Sequence, residues 1–359
     1  MLNPNRVLII AEAGVNHNGD INLAKKLIDA AAEAGADIVK FQTFRANKLA
    51  ASSAEQAKYQ AANTGVTESQ LEMLKRLELK YEDHQELVNY CNSKDITFLS
   101  TAFDSDSLRF LTEELGQKLL KVPSGELTNA PLILAHALTG LNIILSTGMA
   151  TLAEIETALG VIAFGYLNPN EEPSEEKFIQ AYFSSKGQRL LREKVTILHC
   201  TTEYPAPYGD INLNAMDTIK NAFKLNVGYS DHSQGIVVPV AAAAKRALII
   251  EKHFTLDKTM EGPDHKASLE PHELKDMIAA IRIVEQISGD GVKGPRPSEV
   301  KNIDIARKSI VASKNIRKGE LFSAENLTIK RPGNGMNPMH FWDLVGTTAE
   351  RNYNEDELI

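Results

Sequence analysis

The amino-acid sequence predicts an α/β protein, a (β/α)8 barrel followed by a small C-terminal domain. Eight short apolar runs alternate with longer amphipathic patterns through the first 290 residues, and no hairpin signal interrupts them. A segment rich in glycine and proline follows, and the composition changes after it. Strand and helix units that alternate in series build a parallel sheet, and eight such units favour a closed barrel over an open sheet.

Each apolar run is short and rich in β-formers, as expected of a parallel strand buried on both faces. The predicted strands are 7–11, 38–42, 97–101, 119–123, 142–146, 195–199, 226–230 and 247–253. The predicted helices are 23–34, 81–93, 105–115, 151–164, 213–223 and 270–287. Two polar stretches break the alternation: residues 46–67 predict an irregular excursion, and residues 166–194 predict a pair of surface helices.

The chain divides by composition into a barrel at 1–290, a linker at 291–304 and a second domain at 305–359. Short strand-like pieces in the second domain, at 309–312, 321–322 and 327–330, are separated by turns. About 55 residues with few aliphatic side chains form only a marginal core. We therefore expect this domain to pack against a partner surface.

Composition and charge exclude several classes of protein. The chain has 359 residues, a net charge of −8 and a pI near 5.7, which argues against nucleic acid or an anionic membrane as the main partner. Residues 1–14 predict no signal peptide, and no stretch approaches the roughly 20 apolar residues that span a bilayer. Cys91 and Cys200 form no C-x-x-C pair, so we expect two reduced thiols in a cytoplasmic protein.

Polar residues follow all eight predicted strands. The active site of such a barrel forms where the carboxyl ends of the strands meet, so these residues predict one continuous polar site. The candidates at the strand ends are Glu12, Lys40, Gln42, Thr101, Lys121, Ser124, Glu126, Ser146, Tyr204, Ser230, His232, Glu251 and His253.

Two histidines at neighbouring strand ends predict a metal site. Side chains alternate along a strand, so Ser230 and His232 share one face of the seventh strand, and Glu251 and His253 share one face of the eighth. Two neutral imidazoles with open positions suit a divalent transition ion such as Mn²⁺. The alternative is a general-base histidine beside a hydrogen-bonded structural one.

Lys40 and Lys121 end strands that should be buried, where an ammonium group needs a partner. One interpretation is a Schiff-base nucleophile. Another is a pair of counter-ions to a bound phosphate or carboxylate, which the neighbouring serines and glycine-flanked turns favour. A third interpretation pairs the lysines with Glu12 or Glu126.

Four carboxylates are candidates for proton transfer, namely Glu12, Glu126, Glu251 and Asp264, and the residue types alone do not rank them. Asp264 lies in a loop after the eighth strand that is long enough to fold over the mouth of the barrel. Arg331 lies between turns of the second domain. It is either a fixed hydrogen-bond donor or a solvated surface residue.

Ten motifs occur in order along the chain: IIAEAGVNHNGD, DIVKFQTF, FLSTAFD, KVPSGELTN, ILSTGMA, ILHCTTEYPAP, GYSDHS, IEKHFTLD, GPDHKASLEP and KRPGNG. Together they resemble the bacterial sialic acid synthases over almost the whole chain. The resemblance implies a TIM barrel followed by an antifreeze-like (SAF) domain. It also implies an enzyme that condenses phosphoenolpyruvate with an open-chain N-acetylated amino sugar, and a homodimer with a domain-swapped C-terminal module.

The resemblance implies a role for each matching residue. His232 and His253 match manganese ligands, with Mg²⁺ or Co²⁺ as alternative ions. The residues that match those holding phosphoenolpyruvate are Lys40, Thr101, Lys121, Ser124, Ser146 and Ser230. The residues that match those near the sugar are Glu12, Gln42, Glu126, Tyr204, Asp264 and, from the neighbouring subunit, Arg331. One departure is Thr202, where some relatives carry asparagine.

The first expectation is therefore an N-acetylneuraminate (sialic acid) synthase, whose acceptor is N-acetylmannosamine. A bond forms at C3 of phosphoenolpyruvate, water adds at C2, and phosphate leaves by C–O cleavage. We expect Glu251 to activate the water, with Glu126 as the second choice. The alternative is a legionaminic acid synthase, whose acceptor is 2,4-diacetamido-2,4,6-trideoxymannose. The barrel motifs do not separate the two, because they bind parts that both reactions share.

Three further alternatives stand. A pseudaminic acid synthase is disfavoured by the loop GPDHKASLEP. A Schiff-base aldolase would use Lys40 or Lys121 and need no metal. A non-catalytic binding protein is disfavoured by the polar residues at all eight strand ends.

Overall fold

The computed structural model describes residue 3 and residues 6–359, except for the side chains of Tyr59 and Ala62. Residues 1, 2, 4 and 5, which the sequence assigns to the barrel domain, lie outside the described residues. The chain divides into two compact units, Met1–Gly289 and Asp290–Ile359. Among the described residues, no helix is both long and apolar enough to cross a membrane.

Eight parallel strands form the barrel of the first unit, which confirms the predicted fold class. They are β1 (Leu8–Gly14), β2 (Ile38–Thr43), β3 (Thr97–Ala102), β4 (Leu119–Val122), β5 (Asn142–Ser146), β6 (Val195–His199), β7 (Asn226–Asp231) and β8 (Ile249–His253). Hydrogen bonds join them in the order β3-β2-β1-β8-β7-β6-β5-β4. Strands β3 and β4 lie side by side and close the barrel.

One side chain bridges the seam between β3 and β4. Gln117 Oε1 accepts a hydrogen bond from Ser100 N at 2.8 Å, while Gln117 Nε2 donates to Ser100 O at 3.0 Å and to Leu119 O at 2.9 Å. The carboxamide therefore satisfies backbone groups that two unpaired strand edges would otherwise leave without partners.

Helices surround the barrel. They are α1 (Ile21–Ala34), α2 (Ala46–Leu49), α3 (Lys58–Thr64), α4 (Gln70–Leu77), α5 (Tyr81–Ser93), α6 (Ser105–Arg109), α7 (Ala130–Leu138), α8 (Leu152–Leu167), α9 (Glu175–Phe183), α10 (Ser185–Lys194), α11 (Ala215–Phe223), α12 (Val237–Ala244) and α13 (Pro271–Ile287). The helix pair expected at 166–194 is α9 and α10, and the excursion at 46–67 contains α2 and α3. Helices α4, α7 and α12 are absent from the sequence-based expectations. Helices α7 and α12 are too uniformly apolar to show an amphipathic period, whereas α4 is amphipathic and buries Met73, Leu74 and Leu77.

The inside of the barrel is built in layers, because alternate side chains of every strand point inward. The lowest layer is apolar and consists of Ile10, Ile38, Leu99, Ile144, Leu198 and Ile249. Two residues further along each strand, the inward positions include Glu12, Lys40, Lys121 and Glu251. The apolar layer therefore lies beneath a polar floor at the carboxyl ends of the strands.

The second unit has its own small core. It contains α14 (Pro297–Val300), α15 (Ile303–Ala306), β9 (Ser309–Ala312), β10 (Leu327–Lys330) and α16 (Phe341–Leu344). Strands β9 and β10 pair antiparallel over a buried cluster that includes Ile310, Phe322 and Leu327. Two of the three expected strand pieces are β9 and β10. The third, at 321–322, is a single bridge between Leu321 and Thr348. The segment 291–304 carries α14 and the start of α15, so it is partly helical rather than a plain linker.

Candidate active site

A cavity of about 170 Å³ lies at the carboxyl ends of the barrel strands. The structure brings twelve of the expected site residues to its wall: Glu12, Lys40, Gln42, Thr101, Lys121, Ser124, Ser146, Tyr204, Ser230, His232, Glu251 and His253. A larger groove of about 470 Å³ lies along α8 and α9 outside the barrel, but its lining holds no lysine or histidine. The lysines and histidines that the sequence predicts for catalysis and metal binding therefore line the smaller cavity.

Two lysines and two carboxylates form a charged network on the cavity floor. Lys40 Nζ lies 2.7 Å from Glu12 Oε2 and 3.5 Å from Glu251 Oε2, while Lys121 Nζ lies 3.4 Å from Glu251 Oε1. Ser230 Oγ donates to Glu251 Oε1 at 2.8 Å. Glu251 is therefore the centre of the network, and all four charged side chains are at least 95% buried.

The two carboxylates of this network differ in proton affinity. Burial raises the pKa of Glu12 to about 7, although Lys40 opposes the shift. Burial alone would also raise the pKa of Glu251, but Lys121 and Lys40 together hold it well below its usual range. The pKa of Lys121 is lowered by burial, whereas the two carboxylates raise the pKa of Lys40. At neutral pH, Glu12 is therefore partly protonated, whereas Glu251 stays ionised.

The end of β1 makes room for Glu12. The pairing of β1 with β2 shifts register between Glu12 and Gly14, and Gly14 has a φ of +54°. A Cβ at Gly14 would lie 3.3 Å from Glu12 Oε1 and 3.4 Å from His253 Cε1. Gln42 Nε2 lies 3.4 Å from Glu12 Oε1 and donates to it. Because Gly14 has no Cβ, the side chains of Glu12, Gln42 and His253 can approach one another around it.

Hydroxyl groups converge on one side of the cavity. Gly148 N donates to Ser124 Oγ at 2.9 Å, and Ser124 Oγ lies 3.1 Å from Cys200 Sγ. The buried Ser146 Oγ and Thr202 Oγ1 have no hydrogen-bond partner within the described part of the chain. A Cβ at Gly148 would lie only 2.1 Å from Thr202 Oγ1, so glycine is required for this approach. Unpartnered buried hydroxyls next to two lysines are suited to an anion.

The two histidines lie together at the ends of β7 and β8. Their ring centroids are 5.5 Å apart. His232 Nδ1 donates to the carbonyl of Thr201 at 2.6 Å, which leaves Nε2 as the acceptor, 3.2 Å from the Tyr204 hydroxyl. His253 Nδ1 lies 3.9 Å from Asp264 Oδ2, and the described residues give it no hydrogen-bond partner.

These histidines fit a divalent cation. Burial lowers the pKa of His232 to about 4, and it lowers the pKa of His253 well below its usual range. Both imidazoles are therefore neutral, as metal ligands must be. Within the described residues, no group of three or more histidine, cysteine, aspartate or glutamate side chains forms a ready ligand set. The remaining ligands of such an ion would be water or substrate oxygens.

Three expected site residues lie outside the cavity wall. Glu126 Oε2 accepts a hydrogen bond from Asn129 Nδ2 at 2.7 Å, next to α7. Asp264 is buried beside His253, and burial raises its pKa to about 6. Arg331 belongs to the second unit, where its Nε donates to Ala306 O at 3.1 Å.

One contact at the mouth of the barrel has no signal in the sequence. Asn63, on α3, donates through Nδ2 to Pro263 O at 2.7 Å and to Tyr204 O at 3.5 Å. The excursion after β2 therefore reaches across to the loops that follow β6 and β8. Its composition is small and polar, so only the tertiary structure places it at the site.

The chain belongs to the NeuB family. The family model matches residues 27–293, and a model of the SAF domain matches residues 307–359. The chain is therefore an enzyme of the class that joins phosphoenolpyruvate to a sugar through a new carbon–carbon bond.

Individual relatives extend this similarity. The chain is 52% identical to the N,N'-diacetyllegionaminic acid synthase of Campylobacter jejuni over 99% of both chains. It is 44% identical to the enzyme of the same name from Legionella pneumophila, over 96% of this chain and 90% of that one. A solved structure, the N-acetylneuraminic acid (sialic acid) synthetase of Leptospira borgpetersenii in complex with citrate, has a TM-score of 0.67 at 34% identity and covers 84% of this chain and 91% of that one. The predicted resemblance is confirmed.

Proposed function

We propose that this chain is an N,N'-diacetyllegionaminic acid synthase, which condenses phosphoenolpyruvate with 2,4-diacetamido-2,4,6-trideoxymannose. The observation that carries the proposal is the 52% identity to the C. jejuni enzyme across 99% of both chains. The first expectation, an N-acetylneuraminate synthase, has the weaker support of 34% identity to the sialic acid synthetase. The two acceptors differ at C4, where the legionaminic precursor carries an acetamido group instead of a hydroxyl, and at C6, where it lacks the hydroxyl.

The charged floor is suited to phosphoenolpyruvate. The two lysines bind its phosphate and carboxylate, and the hydroxyls that contribute hydrogen bonds are those of Thr101, Ser124, Ser146 and Ser230. Two lysines beside two ionised carboxylates carry no net charge, so a trianion needs additional positive charge in the same cavity. A divalent cation would provide that charge and would leave Glu12 ionised, able to accept a proton.

His232 and His253 are the residues that would hold the cation, with Mn²⁺ as the ion that the resemblance implies. Such an ion polarises the aldehyde oxygen of the sugar when bound. The hydrogen bond from His232 Nδ1 to Thr201 O keeps Nε2 unprotonated and aimed at the cavity. Tyr204 packs against both imidazole rings and limits their rotation.

Glu12 is the carboxylate best suited to take a proton from the attacking water. A general base works best when its pKa is close to the working pH, and the pKa of Glu12 is about 7. Glu251, the first choice from sequence, is held ionised by two lysines and is therefore a weak proton acceptor. Its role in this proposal is to fix both ammonium groups beneath the phosphoenolpyruvate.

A comparison of acceptors tests the proposal. The purified protein is incubated with Mn²⁺, phosphoenolpyruvate and either N-acetylmannosamine or the diacetamido sugar, and phosphate release is read together with product mass. We expect a preference of at least about 100-fold in kcat/KM for the diacetamido sugar, because a pocket shaped for an acetamido group leaves polar groups unpaired with the other acceptor. A preference for N-acetylmannosamine would contradict the proposal and favour the first expectation, a sialic acid synthase. Turnover that is insensitive to EDTA would contradict the metal site.

We also propose a homodimer in which Arg331 of one chain serves the barrel of the other. The support is the resemblance of KRPGNG to the family motif and the small core of the second unit. Two variants, Arg331→Ala and Glu12→Gln, are each expected to be strongly impaired. A hybrid dimer of one chain of each kind is expected to recover about half of wild-type activity, because one of its two sites then contains both native residues.

Tandem affinity tags isolate the hybrid, and each homodimer carried through the same purification is the control. Hybrid activity no higher than that of the two homodimers would mean that Arg331 acts within its own chain or not at all. A chain that sediments as a monomer at assay concentration would also contradict the dimer.

A further inference from the structure

A fully buried ion pair lies directly behind the two histidines. Lys252 Nζ is 2.5 Å from Asp231 Oδ2, and both side chains are fully buried. Side chains alternate along β7 and β8, so Asp231 and Lys252 point out of the barrel, while His232 and His253, the next residues, point into it. Neither member of the pair lines the cavity.

This pair is part of a closed set of hydrogen bonds around His232. Asp231 Oδ1 accepts from Ser233 N at 3.1 Å, and Asp231 Oδ2 accepts from Ser233 Oγ at 3.0 Å. Lys252 Nζ also donates to the carbonyl of Ser233. Both neighbours of His232 are therefore tied to the residue that immediately precedes His253.

We propose that Asp231, Ser233 and Lys252 are positioning residues that hold His232 and His253 at the separation a divalent cation requires. This inference rests on the metal site proposed above. The register pairs Asp231 with Lys252 across β7 and β8, so the two histidines that follow lie at the same height above the barrel floor. Metal affinity depends on the ligands being held before the ion arrives, and partners that hydrogen-bond to ligating histidines typically contribute 10- to 100-fold. Here the hydrogen bonds act through the backbone on both sides of His232.

The burial of the pair supports this role. Two charges without solvent contact contribute little net stability compared with apolar side chains of similar size, so stability alone does not explain them. The hydrogen bonds from the Lys252 ammonium group to its two acceptors are charge-assisted and therefore stronger than neutral ones. An apolar pair would fill the same space without tying residue 233 to residue 252.

The test measures Mn²⁺ binding directly. The double variant Asp231→Asn, Lys252→Met removes both charges, so neither is left unpaired. We expect its dissociation constant for Mn²⁺, from titration by electron paramagnetic resonance, to rise about 10-fold or more, and the spectrum of the bound ion to change. At saturating Mn²⁺, the KM for phosphoenolpyruvate should stay within about threefold, since Lys40 and Lys121 are untouched.

Two further variants make the test decisive. Arg282→Met breaks an ion pair with Asp37, 3.1 Å long, near the start of β1, and is expected to leave Mn²⁺ affinity within about twofold. Ser233→Ala keeps both charges and removes one hydrogen bond, so it should weaken Mn²⁺ binding about threefold. Ser233→Ala therefore provides the measurement if the double variant does not fold.

If the double variant folds, as a cooperative unfolding transition would show, wild-type Mn²⁺ affinity and an unchanged spectrum would overturn the positioning role. If it does not fold, wild-type Mn²⁺ affinity in Ser233→Ala would overturn it. If the wild-type chain itself bound no Mn²⁺, the metal site and the positioning role would fall together. The two failures are therefore distinguishable.

Discussion

Replacing Glu12 with glutamine is expected to lower kcat about 10³-fold, because the amide cannot accept a proton from the attacking water. The pKa of Glu12, about 7, suits this transfer, and its Oε2 is held 2.7 Å from Lys40. The KM for phosphoenolpyruvate should not rise, since the substitution frees Lys40 from the nearer of its two carboxylate partners. Steady-state kinetics with saturating Mn²⁺ and the diacetamido sugar measure both parameters.

Three other glutamate variants make this result specific. Glu251→Gln is expected to raise the KM for phosphoenolpyruvate more than Glu12→Gln does, because Glu251 contacts both lysines. Glu126→Gln, which tests the second choice from sequence, should lower kcat far less than Glu12→Gln, because Glu126 lies outside the cavity wall. Glu203→Gln, an exposed neighbour of Tyr204, is the matched control. If Glu12→Gln kept a normal kcat and Glu251→Gln lost most of its kcat, the general base would be Glu251 and not Glu12.

Replacing His253 with glutamine is expected to abolish Mn²⁺-dependent turnover, with a loss of about 10³-fold. Removal of a Lewis acid from a carbonyl addition costs several kcal/mol of charge stabilisation, and each 1.36 kcal/mol is tenfold in rate. A single remaining imidazole, His232, should bind Mn²⁺ too weakly to detect at micromolar protein. Titration by electron paramagnetic resonance is run beside the activity assay.

His199→Gln is the matched control for this variant. His199 ends strand β6, and its Nε2 lies 2.8 Å from the carbonyl of Ile211, away from the cavity. It should retain Mn²⁺ affinity. If His253→Gln bound Mn²⁺ as the wild type does, the two-histidine site would be wrong, whatever the rate.

Most of the barrel is readable from the sequence, because parallel strands buried on both faces leave continuous apolar runs. The expected strands at 142–146 and 195–199 match β5 and β6, and the other six differ by at most three residues at an end. The expectation missed α7 and α12, which consist almost entirely of apolar residues and so show no periodic signal in the sequence. The short helices of the 46–67 excursion were missed for the opposite reason, since small polar residues form them only in tertiary contact.

The sequence by itself determined which residues stand at the carboxyl ends of the strands, among them Glu12, Lys40, Lys121 and Glu251. Which face of each strand turns inward was decided by the closed barrel, because strands buried on both faces show no polar alternation. Only barrel closure decided their partners: β1 lies between β2 and β8, so Lys40 reaches both Glu12 and Glu251. That arrangement, which no local pattern encodes, separates the proton affinities of two chemically identical carboxylates. Barrel closure also decided the contacts of Asn63, Gln117 and the Asp231–Lys252 pair. Each of these contacts joins segments that are far apart in the sequence, so it exists only in the folded chain.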